Sequence, residues 1–180
     1  MSLHSFGLTP FFPSSNIPPA FEIEGTISRQ QNLLSMRLNL IGNRADLLLP
    51  SPAVTPLRKD NLWQTTCFEL FLAEEDHANY WEFNLSPAGH WNVYSFADYR
   101  QNMQEEAAYN RLPFTIDTSH EKFSTAVEIP LANIIATEKP LEAAVCAVIQ
   151  HRNKALSYWA LTHYGTQPDF HRRESFTIKL

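Results

Sequence analysis

The chain has 180 residues, of which 44% are hydrophobic and 12% aromatic, enough to bury one sizeable core in a single predicted domain spanning residues 1–180. The formal net charge is -5, and Lys and Arg are scattered along the sequence. Nucleic acid and anionic membranes, which are bound by clustered positive charge, are therefore not expected partners.

The N-terminal residues 1–19 lack a basic leader followed by an apolar run, so no secretory signal is predicted. No stretch approaches the ~18 apolar residues that a membrane helix needs. Cys67 and Cys146 are the two cysteines, and both lie in apolar, strand-like segments. This placement favours buried free thiols in a reducing compartment over a disulfide, so we expect a cytoplasmic protein of bacterial type.

The first element predicted from the pattern is a hairpin. Segments 21–28 (FEIEGTIS) and 33–42 (LLSMRLNLIG) alternate in character, and the polar residues 29–32 join them. The next stretch, 43–60, contains three prolines, which exclude a helix interior. It is predicted as a turn-rich connection.

Segment 65–73 (TTCFELFLA) is the next predicted strand. Successive side chains of a strand point to opposite faces. This places Phe68, Leu70 and Leu72 on one face and Cys67, Glu69 and Phe71 on the other. Both faces carry large apolar side chains, so we expect both to be at least half covered.

Segment 98–112 contains helix-forming residues but only a weak apolar stripe, which favours one short surface helix. Strand patterns then resume in 112–117, 122–134, 143–152, 155–164 and 175–180. About nine short strands with turns marked by Pro and Gly, and at most one or two brief helices, are typical of an all-β protein. The predicted fold is an antiparallel β-sandwich of jelly-roll type.

The segment 80–94 (YWEFNLSPAGHWNVY) predicts a hairpin whose register the side-chain pattern selects. With a five-residue loop at 86–90, every apolar residue shares one face and every polar residue shares the other, whereas a four-residue loop mixes them. Gly89 tolerates the positive φ that such a loop needs. The predicted pairs are Leu85 with Trp91, Phe83 with Val93, Asn84 with Asn92, and Glu82 with Tyr94.

The polar face of this hairpin is the first candidate for a binding surface. It carries Tyr80, Glu82, Asn84, Asn92 and Tyr94, and the preceding strand adds Glu69. Sugars are bound by such groups, because carboxylates and amides pair with hydroxyls and aromatic rings stack on the C–H face of a pyranose. The alternative is structural, since the outer face of an antiparallel sandwich is normally polar and solvated.

Four stretches resemble, in their order and spacing, the DOMON-like and family 9 carbohydrate-binding-module group of β-sandwich domains. They are LWQTTCFELFL (62–72), YWEFNLSPAGHWNVY (80–94), AVEIPLANI (126–134) and YWALTHYGTQPDFHRRESFTIKL (158–180). The resemblance covers roughly the last two-thirds of the chain. It implies a β-sandwich that binds a carbohydrate.

The resemblance also implies roles for particular residues. Family 9 modules have a tryptophan about six residues before a strand glutamate, which Trp63 and Glu69 match, and an asparagine on the next strand, which Asn84 matches. Glu82 stands where those modules tend to have an arginine, so the identity of the sugar stays open. Those modules close the sugar between two tryptophans. Near the C-terminus this chain offers Trp159, which reads as strand core, and the loop residues His163, Phe170 and His171.

Other DOMON domains carry haem through a methionine and a histidine. Of the three methionines here, Met36 falls on the apolar face of the early hairpin, where core packing is the preferred interpretation. The loop 162–174 holds His163, Asp169 and His171, but their spacing matches no common zinc pattern. No cofactor and no metal are therefore expected.

An enzyme is the weaker alternative. Glu69 and Glu82 on neighbouring strands could approach to about 5 Å, the separation found in retaining glycoside hydrolases. No GxSxG, P-loop or dinucleotide motif accompanies them. The expectation is a non-catalytic domain for a carbohydrate or sugar-like polar molecule, with a protein–protein interaction module as the rival. The expected ligand-binding residues are Trp63, Glu69, Glu82, Asn84, Asn92 and Tyr94, with His163, Asp169 and His171 in the loop beside them.

Overall fold

The computed structural model describes residues 2–11, 20–119 and 122–180. The described chain is built of strands, with two short 3-10 turns at Leu62–Gln64 and Arg173–Ser175 and no helix able to cross a membrane. The strands are β1 (Ser2–Pro10), β2 (Phe21–Gln30), β3 (Leu33–Gly42), β4 (Cys67–Glu74), β5 (Tyr80–Leu85), β6 (Trp91–Phe96), β7 (Gln104–Glu105), β8 (Phe114–Thr118), β9 (Lys122–Pro130), β10 (Leu141–Gln150), β11 (Leu156–Ala160) and β12 (Ile178–Lys179).

The strands form two antiparallel layers that share β1. The first sheet has the order β1-β2-β3-β9-β8, and the second has the order β7-β6-β5-β4-β10-β11, with β12 beside β10. The first part of β1 pairs with β2, whereas its end, at Thr9 and Pro10, pairs with β11. The predicted all-β antiparallel sandwich is therefore confirmed.

The main core lies between the two sheets because each sheet turns an apolar face inward. Phe68 of β4 stacks on Phe123 of β9 across this interface, with ring centroids 5.5 Å apart. Leu70 and Leu72 lie beside Phe68, as the alternation of β4 predicts. Met36 is also buried in this core, and Trp159 packs on Phe21 at 4.7 Å.

The predicted hairpin of β5 and β6 is confirmed in every pair. Leu85 lies opposite Trp91, and Asn84 lies opposite Asn92. Gly89 has a φ of 87°, the left-handed conformation that the five-residue loop was expected to need. The register therefore places Glu82, Asn84, Asn92 and Tyr94 on the face that points away from the main core.

The helix predicted within 98–112 is wrong. This segment forms turns and the two-residue strand β7, which pairs with Tyr94 and Ser95 of β6. Arg100 and Asn102 have φ values of 53° and 52°, which a right-handed helix excludes. The segment is held by its neighbours, since Trp81 Nε1 donates to Glu106 Oε2 at 3.0 Å, and its weak apolar stripe gives a helix nothing to pack against.

Other boundaries also differ from the sequence expectation. The hairpin of β2 and β3 is tighter than predicted, because both strands reach the two-residue turn at Gln31 and Asn32. The strand β1 was not predicted. At the other end, β11 stops at Ala160 and β12 has only two residues, so an irregular loop covers 161–172. That loop lies against the second sheet, with Phe170 buried in the apolar cluster on its outer face.

Candidate ligand-binding site

The outer face of the second sheet is covered, unlike that of the first. It carries a second apolar cluster made of Phe71, Ala73, Tyr80, Tyr94, Phe96, Ala144, Cys146, Val148, Ala160, Phe170 and Phe176. Trp63, from the turn before β4, packs against this cluster, and Phe170 reaches it from the loop before β12. The expectation that β4 is covered on both faces is confirmed, and the polar residues of the predicted face are buried with it.

A cavity of about 310 Å³ lies on this covered face. Its size falls at the lower end of the roughly 300–1,000 Å³ typical of small-molecule sites. Its walls combine aromatic rings with carboxyl groups, a guanidinium and an imidazole. The lining residues are Trp63, Glu69, Glu82, Phe96, Arg100, Met103, Val148, Tyr158, Pro168, Phe170 and His171.

Trp63 is a wall of this cavity and not part of the sealed core. It lies in the 3-10 turn Leu62–Gln64, which follows Asn61 in the left-handed conformation at φ 60°. Its ring is half-buried and meets Tyr94 edge-on, with centroids 5.6 Å apart. This contact with Tyr94 of the sheet holds the indole where it lines the cavity.

Glu69 and Glu82 form the floor of the cavity from two adjacent strands. Glu69 lies directly opposite Asn84, so Glu82, two residues away on the same face, is its diagonal neighbour. The side chains are only 2% and 4% exposed. Glu82 Oε1 accepts a hydrogen bond from Asn84 Nδ2 at 2.7 Å, whereas Glu69 Oε1 is buried and has no hydrogen-bond partner in the described part of the protein.

Burial governs the ionisation of these two acids. Loss of solvation, reinforced by the neighbouring Glu82, raises the pKa of Glu69 well above its ordinary value. Loss of solvation also raises the pKa of Glu82 to about 7, although the Asn84 hydrogen bond and Arg100 both act in the opposite direction. The floor is therefore poised to gain or lose protons near neutral pH.

Arg100 brings a positive charge to the rim of the cavity. Its guanidinium donates to Asp169 Oδ1 at 2.9 Å, and its backbone N–H donates to the Tyr80 hydroxyl at 3.2 Å. Partial burial disfavours ionised Asp169, but hydrogen bonds from Tyr99 and Arg100 outweigh it and lower the pKa of Asp169. Asp169 thus lies behind the cavity wall and holds Arg100 in place.

His171 stands in an aromatic cage at the side of the cavity. Its ring meets Phe71, Tyr80 and Phe96 edge-on, with centroids 5.1–5.9 Å apart. Burial, helped by Arg100, lowers the pKa of His171 to about 4, so the imidazole is neutral at pH 7. The Tyr80 hydroxyl, which accepts from the Arg100 backbone N–H, also lies 2.8 Å from His171 Nδ1, within hydrogen-bond distance.

Three predicted residues lie behind or beside the floor. Asn84 is fully buried and bridges Glu82 and Cys67, whose thiol lies 3.5 Å from Asn84 Oδ1. Asn92 and Tyr94 belong to a separate network, in which Asn92 Nδ2 donates to the Tyr94 hydroxyl at 2.7 Å. These three side chains are outside the cavity lining.

The network of Asn92 and Tyr94 anchors the segment that carries Trp63. Arg58 Nε donates to Asn92 Oδ1 at 2.7 Å, and the Tyr94 hydroxyl donates to Asp60 Oδ1 at 2.7 Å. Arg58 also donates to the backbone carbonyls of Tyr109, Val93 and Glu106. Polar residues predicted to touch a ligand therefore hold a wall of the site instead.

The two predicted loop histidines separate in the structure. His171 lines the cavity, whereas His163 Nε2 lies 2.8 Å from the backbone oxygen of Thr9 and its ring meets Phe11 edge-on. His163 therefore fixes the loop to β1, away from the cavity. Among the described residues, no group of three or more His, Cys, Asp or Glu side chains is arranged to hold a metal ion.

Sequence reasoning missed several lining residues, some of which had a signal. Phe96 follows Tyr94 at the period of a strand, and Val148 and Tyr158 lie on the face of Glu69 across β10 and β11. Alternation extended over all neighbouring strands would have found them. Arg100, Met103 and Pro168 lie in irregular segments, which carry no period.

Comparisons with known proteins support the fold. No protein-family model matches the sequence, and no curated protein matches it significantly. A protein from Bacteroides uniformis ATCC 8492, provisionally described as carbohydrate-binding, aligns with a TM-score of 0.69 and 12% identity over 96% of this chain and 84% of that chain. A family 9 carbohydrate-binding module from Caldicellulosiruptor kristjanssonii in complex with cellotriose aligns with a TM-score of 0.51 and 12% identity over 81% of this chain and 68% of its own.

At this level of identity the comparisons define the fold of the chain. This fold is similar to the β-sandwich of a family 9 carbohydrate-binding module, as the resemblance of the sequence implies. The cavity on the covered outer face of the second sheet has the size and the chemistry of a small-molecule site.

Proposed function

We propose that the protein binds a small carbohydrate or a similar polyhydroxylated molecule in the cavity of the second sheet and does not convert it. The observation that carries this proposal is a cavity with aromatic walls over a floor of two carboxyl groups, one of which has a buried oxygen that receives no hydrogen bond from the described part of the chain. A sugar presents the complementary surfaces, since its C–H face packs on rings and its hydroxyls donate to carboxyl oxygens.

The neighbours in fold support the choice of ligand class. One is provisionally described as carbohydrate-binding, and the other is a module in complex with cellotriose. The covering segments also favour a small molecule over a protein partner, because the polar face is enclosed by Trp63, Arg100 and the loop of Phe170 and does not form a flat surface.

The placement of the two acids argues against glycoside hydrolysis. A glycosidase uses carboxyl groups that flank the bond to be broken from opposite sides. Glu69 and Glu82 instead rise from diagonal positions of one sheet face, so they approach a bound sugar from the same side. Their geometry suits the recognition of several donors of one ligand.

Removal of the Trp63 ring tests the proposal. We expect Trp63→Ala to weaken binding of the best ligand from a glycan array about 10- to 100-fold, since a stacked ring contributes roughly 1–3 kcal/mol. Phe114→Ala is the matched control, because it removes a half-buried ring from the first sheet. Calorimetric titration gives both affinities, and thermal melts report the fold of each variant.

Two results would contradict the proposal. One is the absence of any ligand on an array of mono- and oligosaccharides for the folded wild-type protein. The other is an affinity that Trp63→Ala leaves unchanged while the variant stays folded.

A further inference from the structure

The floor of the cavity holds carboxyl groups that the protein itself leaves incompletely paired. Glu69 Oε1 is buried and has no donor among the described residues. Glu82 Oε2 lies 3.9 Å from His171 Nε2, which is beyond hydrogen-bond distance. Asn84 Nδ2 donates to Glu82 Oε1 and makes no hydrogen bond to Glu69 Oε1. Two nearly buried acids thus have acceptor capacity that a bound molecule can satisfy.

The basic groups around the floor do not balance these acids. Arg100 and His171 are the basic residues among the described lining side chains. Arg100 is paired with Asp169 at 2.9 Å, and its guanidinium is half-exposed. His171 is neutral in its aromatic cage, with a pKa of about 4. The remaining neighbours, Cys67 and Cys146, are neutral because burial raises the pKa of both thiols.

The chemistry of the missing partner follows from this imbalance. A sugar hydroxyl brings one donor and no charge, whereas a protonated amine brings three donors and a positive charge. A bound cation favours the ionised form of both acids, and charge-assisted hydrogen bonds to carboxylates are about twice as strong as neutral ones. The walls suit the same group, since Trp63, Phe96 and Phe170 present rings on which a cation is stabilised.

We propose that the bound carbohydrate is an amino sugar whose protonated amine lies on Glu69 and Glu82, with the sugar ring against Trp63. This inference rests on the function proposed above and narrows its ligand class. A neutral sugar and an amino sugar would make the same contacts with the aromatic walls and through their hydroxyls. The two acids, Glu69 and Glu82, add the preference for the amine.

Matched pairs of sugars test the preference directly. We would titrate the folded wild-type protein at pH 6.5 with D-glucose and D-glucosamine, D-galactose and D-galactosamine, and D-mannose and D-mannosamine, together with the N-acetylated forms. In every pair that binds, we expect the amine to bind at least tenfold more tightly than the neutral sugar and than its N-acetyl form. The use of three pairs separates the role of the amine from that of ring stereochemistry.

The variant Glu69→Gln keeps the shape of the side chain and removes the carboxyl group that a bound ammonium would hold in its ionised form. It should reduce the preference for the amine to less than threefold, whereas Glu24→Gln, an exposed acid of β2, should leave it unchanged. Equal or tighter binding of the neutral partner by the wild-type protein would overturn the amino-sugar inference and leave the proposed function intact. Failure of every pair and of the glycan array would overturn both.

Discussion

Strands β2 and β5 have the same kind of sequence and opposite environments. In β2, Glu22 and Glu24 alternate with apolar residues and are exposed on the outer face of the first sheet. In β5, Glu82 and Asn84 alternate with apolar residues in the same way, yet both are buried on the outer face of the second sheet. Alternation reports which side chains point away from the core, but it does not report whether that second face meets water.

Segments that are distant in sequence cause this difference in burial between the two sheets. The second sheet is covered by the turn of Trp63, the turn of Arg100 and the loop of Phe170, which lie more than thirty residues apart in sequence. The covering segments are tied down through polar contacts with the sheet, among them Arg58 with Asn92 and Arg100 with Tyr80. The cavity is thus a property of the contacts between loops and sheet rather than of any one strand.

The largest effect is expected from loss of the anchor beneath Trp63. Arg58→Ala removes the donor to Asn92 Oδ1 and to three backbone carbonyls, all part-buried. We expect the free energy of unfolding to fall by about 2–4 kcal/mol, because several buried acceptors lose a charged donor. Urea denaturation measures this change.

Arg37→Ala on the exposed outer face of β3 provides the control, with an expected change within about 0.5 kcal/mol. Equal effects of the two substitutions would show that the covering segment does not depend on Arg58. Binding of the ligand should also be lost in Arg58→Ala, since Trp63 lies on the segment that Arg58 holds.

The next effect concerns pH and separates the buried acid Glu82 from the exposed acid Glu24. The pKa of Glu82 is about 7 in the folded protein, above its ordinary value of 4.5, so the folded state holds more protons than the unfolded state between these values. The stabilisation that protonated Glu82 gives the folded state is present at acidic pH and is lost as pH rises through 7. His171, whose pKa is lowered to about 4, acts in the opposite direction. Its contribution to the free energy of unfolding increases as pH rises from 4 towards 6.5.

Comparison of the wild-type protein with Glu82→Gln isolates the acid. The free energy of unfolding of the variant, relative to the wild type, should increase by about 1 kcal/mol between pH 6 and pH 8 in the absence of ligand. Glu24→Gln should show no such change, because Glu24 is exposed. A constant difference between Glu82→Gln and the wild type across this range would mean that Glu82 is solvated and ionised as an ordinary surface acid.

The strands could be predicted from the sequence, whereas the positions of the irregular segments that cover the second sheet could not. The sandwich, the register of β5 and β6, and the shared face of Glu69, Glu82 and Asn84 followed from local alternation, which depends on the pleat of the strand alone. The positions of Arg100 and of His163 did not, because they depend on where irregular segments settle after the sheets have formed. The roles of Asn92 and Tyr94 were hidden for a related reason, since their partner Arg58 lies in a segment without a periodic pattern.

The smallest expected change in stability comes from substitution of Asp169. This substitution distinguishes the contribution of the loop to stability from its contribution to ligand binding. Asp169 accepts hydrogen bonds from Arg100 at 2.9 Å and from Tyr99 at 2.6 Å, in a setting where the Arg100 side chain is half-exposed. Exposed ion pairs contribute little, so Asp169→Asn should lower the free energy of unfolding by at most about 1 kcal/mol. Its effect on binding should be larger, because an Arg100 released from Asp169 can approach Glu69 and Glu82 and compete with a cationic ligand.

We therefore expect Asp169→Asn to weaken amino-sugar binding several-fold by calorimetry while its melting temperature stays within a few degrees of the wild type. Glu75→Gln is the matched control, since it breaks an ion pair with Lys179 at 2.8 Å that lies away from the cavity. That variant should lose a similar small amount of stability and keep the wild-type affinity. An unchanged affinity in Asp169→Asn would mean that Arg100 keeps its position without Asp169, and the loop would then act on the cavity through Phe170 and His171 alone.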